Sequence, residues 1–378
     1  MIFPLGAALL FTLATLLPAL LLVLLWWWWR RGRLWPRCRV LLQVHAGLFV
    51  LHTFVTFPFT LGWLGSRWVP HTRGDEARYA GPRLGADGTW QLQSTATLRA
   101  EASGEVVVDP AVSAAVAART HRFASGDGVP LRMFRVAATQ EPPLAVVVLV
   151  HGLFRSALEL ERPAALLREL GCECWLLELR NHGGSGRGPF TGGLRESDDV
   201  VAAVTYVRNQ PGVAGLPVGV FGVSLGTIAV ALAAPRLEGL AGLVLDAPME
   251  RFGSAAERML TFERPGDRRS FFYLHQPWRG LVLRGLEFWS DFAIDDVAPI
   301  DVLAHLPHDL PVLVVGGGAD DRAPPAIVRE LFATLPMGEA RKRLWIREGS
   351  GHGDVWKDDP AGYRTHLQWW LSALRPGR

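Results

Sequence analysis

The chain has 378 residues, enough for one large α/β domain and additional segments. Charged residues make up only 20% of it and apolar residues 49%, which indicates a large buried core together with membrane segments. The net charge is +3, but Arg30, Arg31, Arg33, Arg37 and Arg39 crowd into one stretch and the remainder is slightly negative. The composition therefore excludes a general phosphate-binding surface and a nucleic-acid partner.

Residues 1–29 contain no charged side chain and are rich in leucine, alanine and valine. As a helix, this run would be about 43 Å long, more than the roughly 30 Å hydrocarbon core of a bilayer. It ends in four tryptophans, Trp26 to Trp29, and the arginines follow, as in an aromatic belt with flanking charges. Because the basic start of a cleaved signal peptide is missing, we predict a retained transmembrane helix.

Residues 40–66 form a second uncharged run, with more polar side chains and Pro58 near its end. Either it is a second transmembrane helix, or it lies in the interface or packs on the soluble part; its length favours the span. Because positive loops stay cytoplasmic, two spans would place the rest of the chain in a periplasm-like space, and one span in the cytoplasm. Nearly all basic residues are arginine, which is typical of a GC-rich bacterium. Residues 1–66 are therefore predicted to be an anchor in a bacterial inner membrane.

Residues 67–120 form a transition, with a strand pair predicted at residues 90–98 and 105–108. In residues 121–378, apolar strands alternate with amphipathic helices, which predicts an α/β fold: a mostly parallel sheet with helices on both faces. The predicted elements are a hairpin at 121–136, strands at 144–150, 173–179, 218–221, 240–245, 311–315 and 343–347, and helices at 157–170, 198–209, 227–234, 326–335 and 361–374. Ser197 is the predicted N-cap of the helix at 198–209, which puts Asp198 and Asp199 in its first turn.

An aromatic insertion at about residues 249–306 interrupts this alternation. It either covers an apolar substrate site as a cap or packs its rings into a small core of its own. The large rings are Phe252, Phe262, Phe271, Phe272, Tyr273, Trp278, Phe288, Trp289 and Phe292.

The sequence Gly222-Val223-Ser224-Leu225-Gly226 lies between a predicted strand and a predicted helix. A serine at such a turn is held in a strained conformation, and glycines two residues to either side let neighbouring chains approach. The helix N-terminus directs backbone N–H groups and its positive dipole end toward a developing oxyanion. The arrangement predicts Ser224 as a nucleophile.

Other strand ends carry the groups that an activated serine needs, in the chain order serine, acid, histidine. Asp320 and Asp321 both follow the strand at 311–315, and His352 follows the strand at 343–347. His352 is placed to accept the serine proton while a carboxylate holds its other ring nitrogen. His151-Gly152 follows the strand at 144–150, where a second oxyanion donor is expected; His151 and His182 should shape loops and not transfer protons.

Residues 121–375 resemble the α/β-hydrolase superfamily, within it the monoglyceride-lipase-like and serine-aminopeptidase-like branch, many members of which are membrane-anchored. The motifs that carry the resemblance are His151-Gly152, the turn from Arg180 to Gly186, Gly222 to Gly226, Asp321-Arg322 followed by Pro324-Pro325, and Gly351-His352. It implies Ser224 as nucleophile, His352 as general base, Asp321 as the orienting acid, and the N–H groups of Leu153 and Leu225 as the oxyanion hole. Asn181 departs from the family pattern, which usually has glycine there, and the adjacent Asp320 leaves the acid ambiguous.

The expected activity is hydrolysis of an ester-type substrate, with an acyl-lipid suggested by the anchor and the aromatic insertion. Neither a metal nor an organic cofactor is expected, and the three cysteines, Cys38, Cys172 and Cys174, show no disulfide framework or zinc spacing. Two alternatives remain: a membrane-tethered serine peptidase, and a non-catalytic scaffold in which Ser224 is unreactive.

Overall fold

The computed structural model describes residues 2–30, 35–67, 83–84, 90–91, 119–153, 155, 157–260 and 276–374. The chain divides into two units. One comprises Met1–Ser66 and Ala256–Phe292, and the other comprises Arg67–Ala255 and Ala293–Arg378.

The larger unit is built on an eight-stranded sheet. The strands in the described residues are β1 Arg83–Leu84, β2 Trp90–Gln91, β3 Thr120–Ala124, β4 Pro130–Val136, β5 Ala145–Val150, β6 Cys172–Glu178, β7 Val218–Val223, β8 Gly242–Asp246, β9 Val312–Gly317 and β10 Lys342–Arg347. The order across the sheet is β10-β9-β8-β7-β5-β6-β4-β3. Strands β3 and β4 form the predicted antiparallel hairpin and β4 is antiparallel to β6, whereas the other pairings within this eight-stranded sheet are parallel. The predicted mostly parallel sheet is confirmed.

Helices cover both faces of the sheet, as the apolar strand runs predict. The helices in the described residues are α1 Ile2–Arg30, α2 Trp35–Leu51, α3 Phe57–Arg67, α4 Glu161–Glu169, α5 Leu194–Arg208, α6 Leu225–Ala233, α7 Phe252–Leu260, α8 Trp278–Ser290, α9 Pro299–Leu303, α10 Pro325–Thr334, α11 Val355–Asp358 and α12 Pro360–Ala373. Side chains alternate along β5: Val146 and Val148 pack in one core with α5, α6 and α10, and Val147 and Leu149 in the other with α4 and α12. Burial on both faces explains why these strands are apolar throughout and not alternating.

Strands β1 and β2 pair with each other in antiparallel fashion. Trp90–Gln91 therefore pairs with Arg83–Leu84, whereas the other residues of the predicted strand pair, 92–98 and 105–108, lie outside the described residues.

The smaller unit combines the N-terminal helices with part of the aromatic insertion. A five-residue π-helical turn, His52–Thr56, joins α2 to α3. The run Arg39–Ser66, which includes this turn, is long and apolar enough to cross a membrane, and among the described residues it is the one helix that meets this test of length and composition. Helix α8 belongs to the same unit, whereas insertion residues 261–275 lie outside the described residues.

Candidate active site

Ser224 occupies a sharp turn between β7 and α6. Its φ of 53° and ψ of −118° lie in a backbone region that residues other than glycine rarely adopt. A Cβ on Gly222 would lie 2.5 Å from the Gly226 carbonyl oxygen, and one on Gly226 would lie 2.4 Å from the Val150 carbonyl oxygen. Both glycines are therefore required by backbone contacts, and the turn presents Ser224 at the carboxyl end of the sheet.

A chain of hydrogen bonds links Ser224 to His352 and Asp320. Ser224 Oγ lies 2.7 Å from His352 Nε2, and His352 Nδ1 lies 2.8 Å from Asp320 Oδ2. Because an ionised carboxylate only accepts hydrogen bonds, Nδ1 carries the proton and Nε2 is left to accept the Ser224 hydroxyl proton. The arrangement has the donors and acceptors that a general base next to a nucleophile requires.

Asp320, not the predicted Asp321, is the carboxylate that contacts His352. The other oxygen of Asp320, Oδ1, accepts hydrogen bonds from the backbone N–H groups of Arg322 and Ala323, both at 2.9 Å. These bonds hold the Asp320 carboxylate at the base of the loop, where it is 4% exposed, whereas Asp321 is half-buried. This geometry favours Asp320 as the orienting acid in place of the predicted Asp321.

The acid loop and the histidine loop approach each other closely beyond β9 and β10. A Cβ on Gly317 would lie 2.4 Å from the carbonyl oxygens of Ser350 and Gly351. The Ala319 N–H donates to the Ser350 carbonyl oxygen at 2.9 Å, which ties the two loops together two residues before His352. The Gly316-Gly317-Gly318 run therefore permits the contact that places Asp320 beside His352.

The two predicted oxyanion donors lie at the ends of β5 and β7. Leu225 is the first residue of α6, so its N–H has no acceptor within the helix. Leu153 lies in the turn after β5, which is closed by a hydrogen bond from the Arg155 N–H to the Gly152 carbonyl oxygen at 3.3 Å. The close approach of Gly226 to the Val150 and His151 carbonyl oxygens packs the two segments against each other.

His151 is fully buried beneath the Leu153 turn. Its Nδ1–H donates to the Gly152 carbonyl oxygen at 2.7 Å, and its Nε2 accepts the Leu179 N–H at 3.2 Å. Burial lowers the pKa of His151 to about 4, so the ring stays neutral near pH 7 and keeps both bonds. His151 fixes the shape of the loop and is not positioned by these bonds to transfer a proton.

Comparison with known proteins identifies the family. A family model described as the alpha/beta hydrolase family matches residues 147–365, more than half of the chain. The chain belongs to the alpha/beta hydrolase family.

Relatives and solved structures are similar to this chain at low sequence identity. An uncharacterized protein of Bacillus subtilis, YqkD, is 24% identical over 254 residues, covering 66% of this hydrolase-family chain and 78% of that protein. An uncharacterized protein of Mycobacterium tuberculosis is 32% identical over 192 residues, covering 50% of this chain and 57% of its own length. The Pyrococcus furiosus esterase Pf2001 superposes with a TM-score of 0.54 at 17% identity, over 67% of this chain and 91% of the esterase. The alpha/beta hydrolase GrgF of a Penicillium species superposes with a TM-score of 0.53 at 18% identity, over 67% of this chain and 97% of GrgF. At these identities the solved structures show the fold alone.

A buried arginine organises the turn after β6 in this alpha/beta hydrolase. The Arg180 guanidinium is fully buried and pairs with Asp199 on α5 at 2.7 Å and with Asp127 in the β3–β4 turn at 2.8 Å. These carboxylates raise the pKa of Arg180, which therefore remains charged. The ion pair connects the hairpin, the turn and α5. The sequence interpretation missed it because Asp199 follows no strand and belongs to no motif.

The departure at Asn181 has a conformational explanation. Its φ is 66°, in the left-handed region where glycine is preferred and asparagine is tolerated. Its Oδ1 accepts the Gly188 N–H at 3.0 Å, which a glycine could not do. The neighbouring His182 contacts the Arg180 carbonyl oxygen through Nδ1 at 2.9 Å and belongs to the turn.

Helix α5 begins at Leu194, earlier than predicted, and Ser197 is not its N-cap. Gly193 occupies the cap position, and the Glu196 carboxylate accepts the Gly193 N–H at 2.8 Å. Asp198 and Asp199 consequently lie beyond the first turn, where Asp198 pairs with Arg236 at 2.6 Å.

Among the described residues, no group of three or more His, Cys, Asp or Glu side chains is arranged to hold a metal ion.

Proposed function

We propose that this protein is a membrane-anchored serine hydrolase that cleaves ester-type substrates. The observation that carries the proposal is the pair of hydrogen bonds that joins Ser224 to His352 at 2.7 Å and His352 to Asp320 at 2.8 Å. An acyl-transfer site needs a nucleophile, a base that accepts its proton and an acid that orients the base. Here these are a serine in a strained conformation, a histidine whose acceptor nitrogen faces the serine, and a carboxylate held by two backbone N–H groups. The esterase Pf2001 and other similar structures share the fold that presents them.

The proposed reaction has two steps. Ser224 Oγ attacks the substrate carbonyl carbon while His352 Nε2 takes the hydroxyl proton, and the N–H groups of Leu153 and Leu225 stabilise the oxyanion. His352 then gives the proton to the leaving alcohol, and the acyl group remains on Ser224. In the second step His352 takes a proton from water while the water oxygen attacks the acyl carbon. His352 then returns this proton to Ser224 Oγ as the acyl–oxygen bond breaks, which releases the carboxylic acid and restores the free hydroxyl.

Asp320 acts through His352 in this mechanism. Its charge holds the Nδ1–H tautomer and stabilises the imidazolium that forms in each step. The oxyanion donors act at the same moment, and loss of one such donor typically lowers the rate by on the order of 10²–10³. The residues that carry the chemistry are all protein groups, and the mechanism requires no metal or organic cofactor.

The N-terminal helices supply the proposed anchor. Both uncharged runs fold as helices, and Arg39–Ser66 has the length and composition of a span. If α1 is a second span, the arginines between the two spans stay in the cytoplasm of a bacterium. The larger unit, which carries Ser224 (the hydrolase unit), then lies on the periplasmic side of the inner membrane. An enzyme held at this surface meets acyl-lipid esters directly, as the resemblance to monoglyceride-lipase-like proteins leads us to expect.

Hydrolysis of p-nitrophenyl esters of increasing acyl length tests the proposal. The detergent-solubilised protein should hydrolyse these esters with a dependence on acyl length, and Ser224→Ala should reduce kcat by at least about 10³. Ser372→Ala removes an exposed hydroxyl on α12 and should leave the rate unchanged. A folded protein that cleaves none of the esters, or that cleaves peptide p-nitroanilides with no acyl-length trend, would contradict the proposed substrate class.

A further inference from the structure

Helix α8 of the aromatic insertion packs against the N-terminal helices within one unit. The Trp278 indole N–H donates to the Thr53 carbonyl oxygen at 3.0 Å, and the Trp278 ring stacks on Phe54 with centroids 5.8 Å apart. Thr53 lies in the π-helical turn, where the regular i to i+4 hydrogen-bond pattern is interrupted. The indole therefore supplies a donor to a carbonyl of this irregular turn, although the two residues are far apart in sequence.

A glycine pair brings helices α3 and α8 into close contact. A Cβ on Gly62 would lie 2.4 Å from the Gly285 carbonyl carbon, and one on Gly285 would lie 3.1 Å from Phe59 Cα. The Trp289 indole N–H donates to the Phe59 carbonyl oxygen at 3.1 Å. Helix α8 is thus held at both ends and at its middle, by backbone contact as well as by side chains.

The contacted residues lie near the end of the candidate membrane span. Phe59 and Gly62 precede Ser66, the last residue of the run, by seven and four residues. At a rise of 1.5 Å per residue, α8 therefore crosses the helix about 6–11 Å from that end. This depth corresponds to the boundary between hydrocarbon and headgroups if the run spans the bilayer.

Beside its contact with α3, the exposed surface of α8 combines aromatic rings with a cation. Phe288 is 67% exposed and Trp289 is 40% exposed. Arg284, one turn before Phe288, has a side chain that is 73% exposed and pairs with Glu287 at 2.8 Å. Exposed aromatic rings one turn from an arginine are typical of helices at a membrane surface, where rings enter the headgroup region and the cation reaches the phosphates.

We propose that α8 is a membrane-interface helix whose Arg284–Phe288–Trp289 face rests in the headgroup region of the lipid bilayer beside the span Arg39–Ser66. The proposal rests on the anchoring proposed above and adds a second, non-spanning contact from a distant part of the chain. With 13 residues, α8 is about 20 Å long and too short to cross a hydrocarbon core of roughly 30 Å. Helix α8 is accordingly part of the proposed anchor.

Spin-label accessibility in proteoliposomes tests this assignment. The full chain with Cys38→Ser is reconstituted in phosphatidylethanolamine and phosphatidylglycerol at 3:1, and a nitroxide is attached at one new cysteine; Cys172 and Cys174 are buried. Phe288→Cys reports on α8, Val50→Cys on the exposed surface of the span, and Ala326→Cys on an exposed site of the hydrolase unit. Collision rates with oxygen, which concentrates in lipid, and with a nickel chelate, which stays in water, are compared.

The expected oxygen-to-nickel ratio at Phe288→Cys is severalfold above that at Ala326→Cys and below that at Val50→Cys. A label at Arg284→Cys should give a ratio between those of Phe288→Cys and Ala326→Cys. A water-like ratio at Phe288→Cys beside a lipid-like ratio at Val50→Cys would overturn the inference and leave the anchor intact. Low collision rates with both reagents at Phe288→Cys would mean that protein covers the face, which also overturns it. Water-like ratios at both sites would refute the anchoring itself.

Discussion

Two adjacent aspartates at the end of β9 have different environments. Asp320 accepts three hydrogen bonds, one from His352 and two from backbone N–H groups, and is the residue placed to orient the histidine. Asp320→Asn should lower kcat for ester hydrolysis by on the order of 10³–10⁴, because an amide stabilises the wrong tautomer of His352 and no longer supports the imidazolium. Asp321→Asn, which removes the same charge one residue away, should stay within a fewfold of wild type. A larger loss in Asp321→Asn than in Asp320→Asn would contradict the assignment.

Spacing alone does not separate these two residues. Both follow the same strand by nearly the same distance, and the choice depends on the loop. The bonds from the Arg322 and Ala323 N–H groups to the Asp320 carboxylate turn it toward His352. Such side-chain-to-backbone bonds are set by the backbone conformation of a few residues, which a motif does not specify.

The neutral state of His151 makes stability depend on pH. Its pKa is about 4 in the folded protein, against about 6.5 in an unfolded chain. Between these two pH values the unfolded state binds more protons than the folded state, so acidification favours unfolding. The stability that depends on a neutral His151 is fully present above about pH 6.5 and is lost as the pH falls toward 4. Protonation of His151 in the unfolded state should lower the free energy of unfolding by about 2 kcal/mol between pH 7.5 and pH 5.

Thermal unfolding in detergent at the two pH values measures this effect. His151→Gln should be less stable than wild type at pH 7.5, but its unfolding temperature should fall less on acidification. Equal shifts in the two proteins would assign the acid sensitivity to other groups.

At the level of elements, the turn between β7 and α6 depends on backbone clearance. Gly226→Ala would place a Cβ 2.4 Å from the Val150 carbonyl oxygen, so β5 and the turn must separate. We expect a loss of about 1–3 kcal/mol in the free energy of unfolding, together with loss of ester hydrolysis. Gly126→Ala is a matched control, since a Cβ there meets no atom within 4 Å. A Gly226→Ala protein with wild-type activity would show that the turn is not needed as described.

Whether a segment forms a strand or a helix is predictable where the element is buried on one face or on both. Strands β5, β7 and β9 are buried on both faces, so their apolar runs identify them without ambiguity. The start of α5 is harder to predict, because Gly193 caps it with help from the Glu196 side chain and Ser197 only resembles a cap. Local sequence therefore predicts the presence of an element better than its first residue.

On the scale of the whole molecule, the partner of the insertion could not be predicted. The rings of α8 contact α3 and the π-helical turn, more than two hundred residues earlier in the chain. Neither interpretation of the insertion, a cap or an independent core, included this pairing. Periodicity describes which face of a helix is apolar but carries no information on which distant segment covers it.

The proposed anchor has a consequence for the full chain in cells. With Arg39–Ser66 as a span, the protein should stay in the membrane pellet after extraction with alkaline carbonate, because a transmembrane helix is held by the hydrophobic effect and not by charge. Immunoblotting of pellet and supernatant is sufficient, with an integral and a peripheral membrane protein as references. Release into the supernatant would mean that the helices do not span.

Ser224 is proposed to be an activated nucleophile, and covalent labelling with a fluorophosphonate probe detects such a serine without knowledge of the substrate. The detergent-solubilised wild-type protein should be labelled covalently, Ser224→Ala should not be labelled, and His352→Ala should react far more slowly because the hydroxyl loses its base. Asp321→Asn should be labelled like wild type. Equal labelling of wild type and Ser224→Ala, or no labelling of a folded wild-type sample, would mean that Ser224 is not activated and would favour a non-catalytic scaffold.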